Sequence, residues 1–157
     1  MNKFTVCIIT VLLISIQSFA QDKKAKDYKE EVKATILEFF DGFHKGDTAK
    51  MKKTIDPQMV LKTVVKNKVG KIRIAQTDID KFLGAIQNRP AEQKWDERLL
   101  SFTIEADGSI ANAWTPYEFY LNDNFSHCGV NVFQLYHDGS SWRIIAIADT
   151  RKREGCN

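Results

Sequence analysis

From Arg98 to Arg151 the chain is a succession of β-rich runs, Arg98 to Glu105, Ile110 to Leu121, Phe125 to Tyr136 and Trp142 to Arg151. They are divided only by Asp107-Gly108, Asn122-Asp123-Asn124 and Asp138-Gly139-Ser140-Ser141. These separators carry the residue types that tolerate positive φ in tight hairpins. Connections this short leave consecutive strands no room to run parallel, so the second half of the chain is expected to be an antiparallel meander.

The first half has a different period. Tyr28, Val32, Ile36, Phe39, Phe40 and Phe43 form one stripe of a long helix, which Gly46 can end in the left-handed conformation. Asp47 or Thr48 can cap a short second helix that runs through Ile55 and closes at Pro57. Met59 to Val65 and Lys71 to Ala75 flank Asn67 to Gly70 as a hairpin. Thr77 reads as the cap of a third helix with Ile79, Phe82, Leu83 and Ile86 on its apolar side, ending at Arg89-Pro90. The expected order is α-α-β-β-α-β-β-β-β, an α+β domain in which three helices occupy the N-terminal half.

That domain is expected to cover residues 28–157, after a charged leader at 21–27. The 20 residues before the leader read as a secretion signal. Lys3 precedes an apolar run from Val6 to Ile16, and Ser18-Phe19-Ala20 supplies small residues before a cut, so the mature chain should begin at Gln21 in the periplasm or outside the cell. The run ends in Gln17 and Ser18, short of the roughly 20 apolar residues a membrane span needs, so no membrane anchor is expected after cleavage. In such a compartment Cys128 and Cys156 are expected to form a disulfide, the alternative being two inert thiols. Neither cysteine has ligands at zinc-like spacing, and no metal or cofactor is expected. Beyond the signal, 22 basic residues face 20 acidic ones. With Lys23, Lys24, Lys26 and Lys50 to Lys53 interleaved with acids, these basic clusters read as solvated faces and not as a nucleic-acid surface.

Three segments then suggest a family: Trp114-Thr115-Pro116-Tyr117-Glu118-Phe119-Tyr120, Ser126-His127-Cys128-Gly129-Val130-Asn131, and Trp142-Arg143-Ile144-Ile145 leading to Asp149-Thr150-Arg151. With the element order, they resemble the nuclear transport factor 2-like superfamily over Tyr28 to Arg151, and more closely its exported bacterial members called SnoaL-like or "Putative lumazine-binding". The resemblance implies a bent sheet wrapped around helices as a cone with a cavity. It also implies a homodimer through the outer sheet face, where Trp114, Pro116, Glu118 and Tyr120 would lie. It does not choose among isomerases, cyclases, dehydratases, binding modules and assembly modules.

Strand alternation selects candidates for the cavity. Arg98, Leu100, Phe102 and Ile104 form the more apolar set of their run and are expected inside. A two-residue Asp107-Gly108 turn pairs Phe102 with Ala113 and Arg98 with Tyr117, placing Ala111, Ala113, Thr115, Tyr117 and Phe119 inside as well. Two central residues in the next turn put Cys128, Val130, Val132 and Gln134 inside; three put His127, Asn131, Phe133 and Leu135 there. The first arrangement is preferred because it buries two valines. It places Asp149 beside Val130, converging with Tyr117.

The candidate ligand contacts are therefore Tyr117, Asp149, Arg98, Gln134, Arg151, His127 and Asn131. In an enzyme, Asp149 or His127 would serve as general base and Tyr117 as donor to an oxyanion. The bland reading is that Asp149 pairs with Arg151 or Arg98 at the mouth. The leading expectation is a binding module for a small apolar molecule; a cofactor-free isomerase, dehydratase or cyclase and a protein-assembly module are the alternatives.

Overall fold

The computed structural model describes residues 28–67 and 69–156. The expected signal segment, the cut before Gln21 and the leader lie outside the described residues. Helix α1 covers 28–45 and buries Val32, Ile36, Phe39, Phe40 and Phe43, the stripe the periodicity marks. Gly46 follows at φ 71°. Helix α2, Thr48–Thr54, is capped by Asp47, which accepts from Lys50 N at 2.9 Å. It stops one residue earlier than expected, because Ile55 is already extended and begins strand β1, Ile55–Lys66. Strand β2 is Ile72–Thr77. The cap of α3, Ile79–Gln87, is Asp78 and not Thr77; its carboxylate accepts from Lys81 N at 3.1 Å. Thr77 closes β2 instead.

Five strands follow: β3 Trp95–Leu99, β4 Thr103–Ala106, β5 Ile110–Leu121, β6 Asn124–His137 and β7 Trp142–Thr150. The sheet order is β2-β1-β7-β6-β5-β3, with β4 also on β5. All pairs are antiparallel except β1 with β7, which run parallel because the β1–β2 hairpin joins the edge of the meander. The result is the expected α+β class, with the helices on the sheet's inner face.

Two irregularities shape the concave side. The run expected as one strand from Arg98 to Glu105 is two. Leu99 pairs with Tyr117 and Thr103 with Trp114, so three residues, 100–102, oppose two on β5, and Leu100 N donates to Pro116 O at 2.8 Å. The extra residue reverses which side chains face inward. In addition, Gly108-Ser109, not Asp107-Gly108, form the centre of the next turn, since Asp107 N donates to Ile110 O. Ile104 therefore pairs with Ala113, a shift of two that preserves facing in β4.

The second irregularity is in β6. Asn122 and Asp123 make a two-residue turn, both at positive φ, 51° and 63°. Phe125 pairs with Tyr120, but Phe119 pairs with His127, leaving Ser126 as a bulge. A two-residue turn thus yields the inner set associated with three: His127, Asn131, Phe133 and Leu135 are buried. The preference for Cys128, Val130, Val132 and Gln134 is overturned by that bulge. The inner set of β5, Ala111, Ala113, Thr115 and Tyr117, is buried as expected.

Cys128 and Cys156 form the expected disulfide, with Cα atoms 5.9 Å apart. It fastens the tail after β7 to β6. Among the described residues no helix is long and apolar enough to cross a membrane.

Candidate functional site

Between α1, α3 and the concave sheet lies a cavity of about 470 Å³. Its wall is strongly aromatic: Phe39, Phe40 and Phe43 come from α1, Phe82 from α3, and Trp95, Phe119 and Phe133 from the sheet. Phe43 stacks on Phe82 with centroids 6.3 Å apart and meets Trp95 and Phe119 at 5.9 and 6.4 Å. These rings follow from the α1 stripe and the inner parity of β3, β5 and β6. The same parity brings a set of polar side chains to the cavity.

Glu97 sits at the centre of β3. Its Oε1 accepts from Asn131 Nδ2 at 2.7 Å, and it is partly buried, lining the cavity. Desolvation pushes its carboxyl up to about 7, against the Asn131 bond, and the negative charge of Asp149 adds to the rise. The backbone is held from behind by His44 near the end of α1, whose Nε2 accepts from Glu97 N at 3.0 Å. Burial lowers the His44 pKa, consistent with a neutral acceptor.

Asp149 of β7 is buried and accepts from Thr63 Oγ1 at 2.5 Å. Tyr117 Oη lies 3.5 Å from its second oxygen and donates to Thr150 O at 3.0 Å. Burial raises the Asp149 pKa, opposed by the Thr63 bond and the charge of Arg151. Burial, with the charges of Glu97 and Asp149, also raises that of Tyr117, which stays a protonated donor. Tyr117 and Asp149 converge as expected, although Asp149 pairs with Asn131 and not Val130.

His127 stacks on Phe119 at 4.8 Å and meets Tyr117 edge-on at 5.9 Å. Burial, with the charges of Arg151 and Arg153, brings its pKa down to about 4, so the ring is neutral near pH 7. Its Nδ1 is 3.1 Å from Ser126 Oγ, whereas Nε2 is buried without a partner. Buried polar atoms are ordinarily satisfied, which makes this one a candidate for a rearrangement when the cavity fills.

Five expected contacts, Tyr117, Asp149, His127, Asn131 and Arg151, are thus gathered here, Tyr117 bordering the cavity through Asp149 and the others lining it. Arg98 and Gln134 are not. The break at 100–102 turns Arg98 outward, where its guanidinium lies 3.8 Å from the Tyr120 ring centre and pairs with Asp96 at 2.9 Å. The Ser126 bulge turns Gln134 out and leaves it exposed. Glu97 and Arg153 escaped the sequence reading. Trp95 and Leu99, alternating around Glu97, carried the signal for Glu97, had the strand been started at Trp95. Asp149 makes no ion pair with Arg151 or Arg98 among the described residues; its partners are hydroxyls. No cluster of three or more His, Cys, Asp or Glu suited to a metal occurs among the described residues.

A carboxyl poised near neutrality, an amide, a phenol and two guanidiniums beside an aromatic wall can recognise one polar end of an otherwise apolar molecule. The family profile described as "Putative lumazine-binding" matches residues 27–148. The chain belongs to that family, within the nuclear transport factor 2-like superfamily. No curated protein matches it. Among solved structures it is similar to a nuclear transport factor 2-like protein of unknown function from Shewanella baltica, at 12% identity over 82% of this chain and 96% of that one, TM-score 0.58. A protein of unknown function from Pseudomonas putida gives 13% identity, 80% and 87% coverage and TM-score 0.63. A "putative dehydratase" from Streptomyces avermitilis gives 11%, 81%, 97% and 0.61. Likeness at these identities concerns the fold alone.

Proposed function

We propose that the protein is an exported binding module whose cone takes up a small, largely apolar molecule and orients it by one polar end. The observation that carries this reading is the aromatic cavity of about 470 Å³ with Glu97, Asn131, Asp149 and His127 at its polar edge. Pockets of this size and character suit small-molecule ligands. The Cys128–Cys156 disulfide supports an oxidising destination, and the exposed Trp114 supports a homodimer through the outer sheet.

A second reading is favoured by one observation. A carboxyl held near pH 7 is suited to moving protons, so Glu97, with Tyr117 as a donor, fits a cofactor-free isomerase or dehydratase. Asp149 is less suited to base chemistry because Thr63 and Tyr117 already occupy it.

The test is to incubate the protein with the small-molecule extract of its host, separate it by gel filtration and identify what it retains. Ala85→Trp, which places an indole at the α3 edge of the cavity, is the control. Retention by the unaltered protein and loss in Ala85→Trp supports the reading; equal retention by both, or none, contradicts it. Conversion of the retained molecule that Glu97→Gln abolishes moves the assignment to the enzyme.

A further inference from the structure

Arg151 and Arg153 border the cavity, and neither joins an ion pair among the described residues. This sets them apart from Arg98, which pairs with Asp96, Arg143, which pairs with Asp138, and Arg89, which donates to the Phe43 and His44 carbonyls. They extend the inner alternation of β7, Asp149 being followed two and four residues on by the guanidiniums. The charge of Arg151 is felt at Glu97, Asp149, Tyr117 and His127 alike, so it overlooks the whole polar cluster.

The segment that carries them is tied at both ends. Arg151 N donates to Val64 O at 3.4 Å, Lys152 exchanges two backbone hydrogen bonds with Cys128 at 3.0 and 2.9 Å, and Cys156 is bonded to Cys128. At Gly129 the end of β7 passes so close that a Cβ there would stand 1.8 Å from Thr150 O, which fixes where the tail begins. After Lys152 no backbone hydrogen bond ties the chain among the described residues, so the disulfide is the bond that holds that stretch to β6.

We infer that Arg151 and Arg153, held at the cavity mouth by the disulfide-closed tail, receive the carboxylate of a singly charged acid whose apolar body fills the aromatic cone. This inference rests on the proposed binding function. Charge decides the class. The two guanidiniums exceed the one carboxylate, Asp149, that hydroxyls engage, and Glu97, its carboxyl pushed up to about 7 by burial, carries only about half a charge at neutrality. The surplus suits a monoanion. A phosphate monoester, carrying nearly two charges, would bring the second against Asp149. Guanidinium forks match a carboxylate in geometry, and such bonds are worth roughly tenfold in affinity or more.

The test is calorimetric titration at pH 7 with two matched pairs of probes, 2-naphthoate against 2-naphthamide and decanoate against decanamide. The unaltered protein should bind each acid at least tenfold more tightly than its amide. The double variant Arg151→Gln, Arg153→Gln should erase that preference, bringing each acid down to the affinity of its amide. Cys128→Ser with Cys156→Ser, and the dithiothreitol-reduced protein, should lose several-fold of the preference without losing the amide. Equal affinity for acid and amide, or a preference that survives the arginine changes, overturns the carboxylate site. Preference undiminished on breaking the disulfide overturns the tail's part in it. Amide binding that Ala85→Trp abolishes leaves the pocket itself standing in either case, whereas no binding of either pair overturns both readings.

Discussion

Asn131 Nδ2 lies 2.7 Å from Glu97 Oε1, a hydrogen bond that reaches from β6 to β3 across the intervening strand β5. Both side chains point inward because each of their strands carries one extra residue, at 100–102 and at Ser126. The Glu97–Asn131 pair at the polar edge of the cavity is therefore a product of two bulges, and a third register shift, between Gln134 and Leu135 against β7, brings Asp149 beside it.

Burial of Glu97 makes stability depend on pH in a stated direction. Its folded pKa, about 7, lies above the ordinary 4.5, so the folded state holds the proton more tightly. The contribution is fully present below 4.5 and is lost as pH rises through 7, a fall of about 3 kcal/mol. Glu97→Gln imitates the protonated form and can still accept from Asn131. In urea unfolding the variant should match the parent at pH 4.5 and exceed it at pH 8 by up to about 3 kcal/mol. A difference independent of pH would mean that Glu97 titrates normally.

Gly129→Ala should be strongly destabilising. A Cβ there would stand 1.8 Å from Thr150 O and 2.8 Å from the Tyr117 ring, so backbone must move. Overpacking of this kind costs about 3 kcal/mol. Thermal unfolding of Gly129→Ala beside Gly84→Ala, whose Cβ meets nothing within 4 Å, checks this. Comparable losses in both would show that the crossing is looser than described.

Reduction of the disulfide should lower stability by roughly 3 to 4 kcal/mol, the chain-entropy value for cysteines 28 residues apart. The helices and sheet should persist, because the core cluster lies wholly outside the tail. Far-ultraviolet circular dichroism with and without dithiothreitol reads both effects. A reduced protein that loses its secondary structure would contradict the second.

If the outer sheet face joins two copies, Trp114→Glu should turn a dimer into a monomer in analytical ultracentrifugation, since Trp114 is half exposed at the middle of β5. A parent protein that sediments as a monomer would remove the homodimer from the account.

The sequence made the fold legible where one periodicity had no competitor. The α1 stripe and the inner face of β5 are read from residue type and spacing, and the pairing of Cys128 with Cys156 from an even pair of cysteines in a chain expected to be exported. Facing failed where both sides of a strand are apolar. In β6, Val130 and Val132 compete with Phe133 and Leu135, and only the register across the Ser126 bulge decides between them. Neither bulged segment, 100–102 or Ser126, contains a glycine or proline, and Pro116, which has no N–H to give the ladder, marks the first only from the opposite strand. The bulges arise from bending the sheet around α1, a tertiary demand. Consequently Arg98 and Gln134 were expected inside and lie outside, whereas Glu97 was overlooked. Tyr117 and Asp149 still converge because a further register shift, between Gln134 and Leu135 against β7, cancels the reversal at Ser126 and returns Asp149 to the inner face beside Asn131.

The most direct test of the central claim is an experimental structure of the protein with the molecule it retains from its host. The account predicts that molecule inside the cone, its apolar body against Phe43, Phe82 and Phe119 and its polar end beside Glu97, Asn131 and Arg151. A molecule seated instead on the outer sheet face around Trp114, with the cone empty, would contradict it.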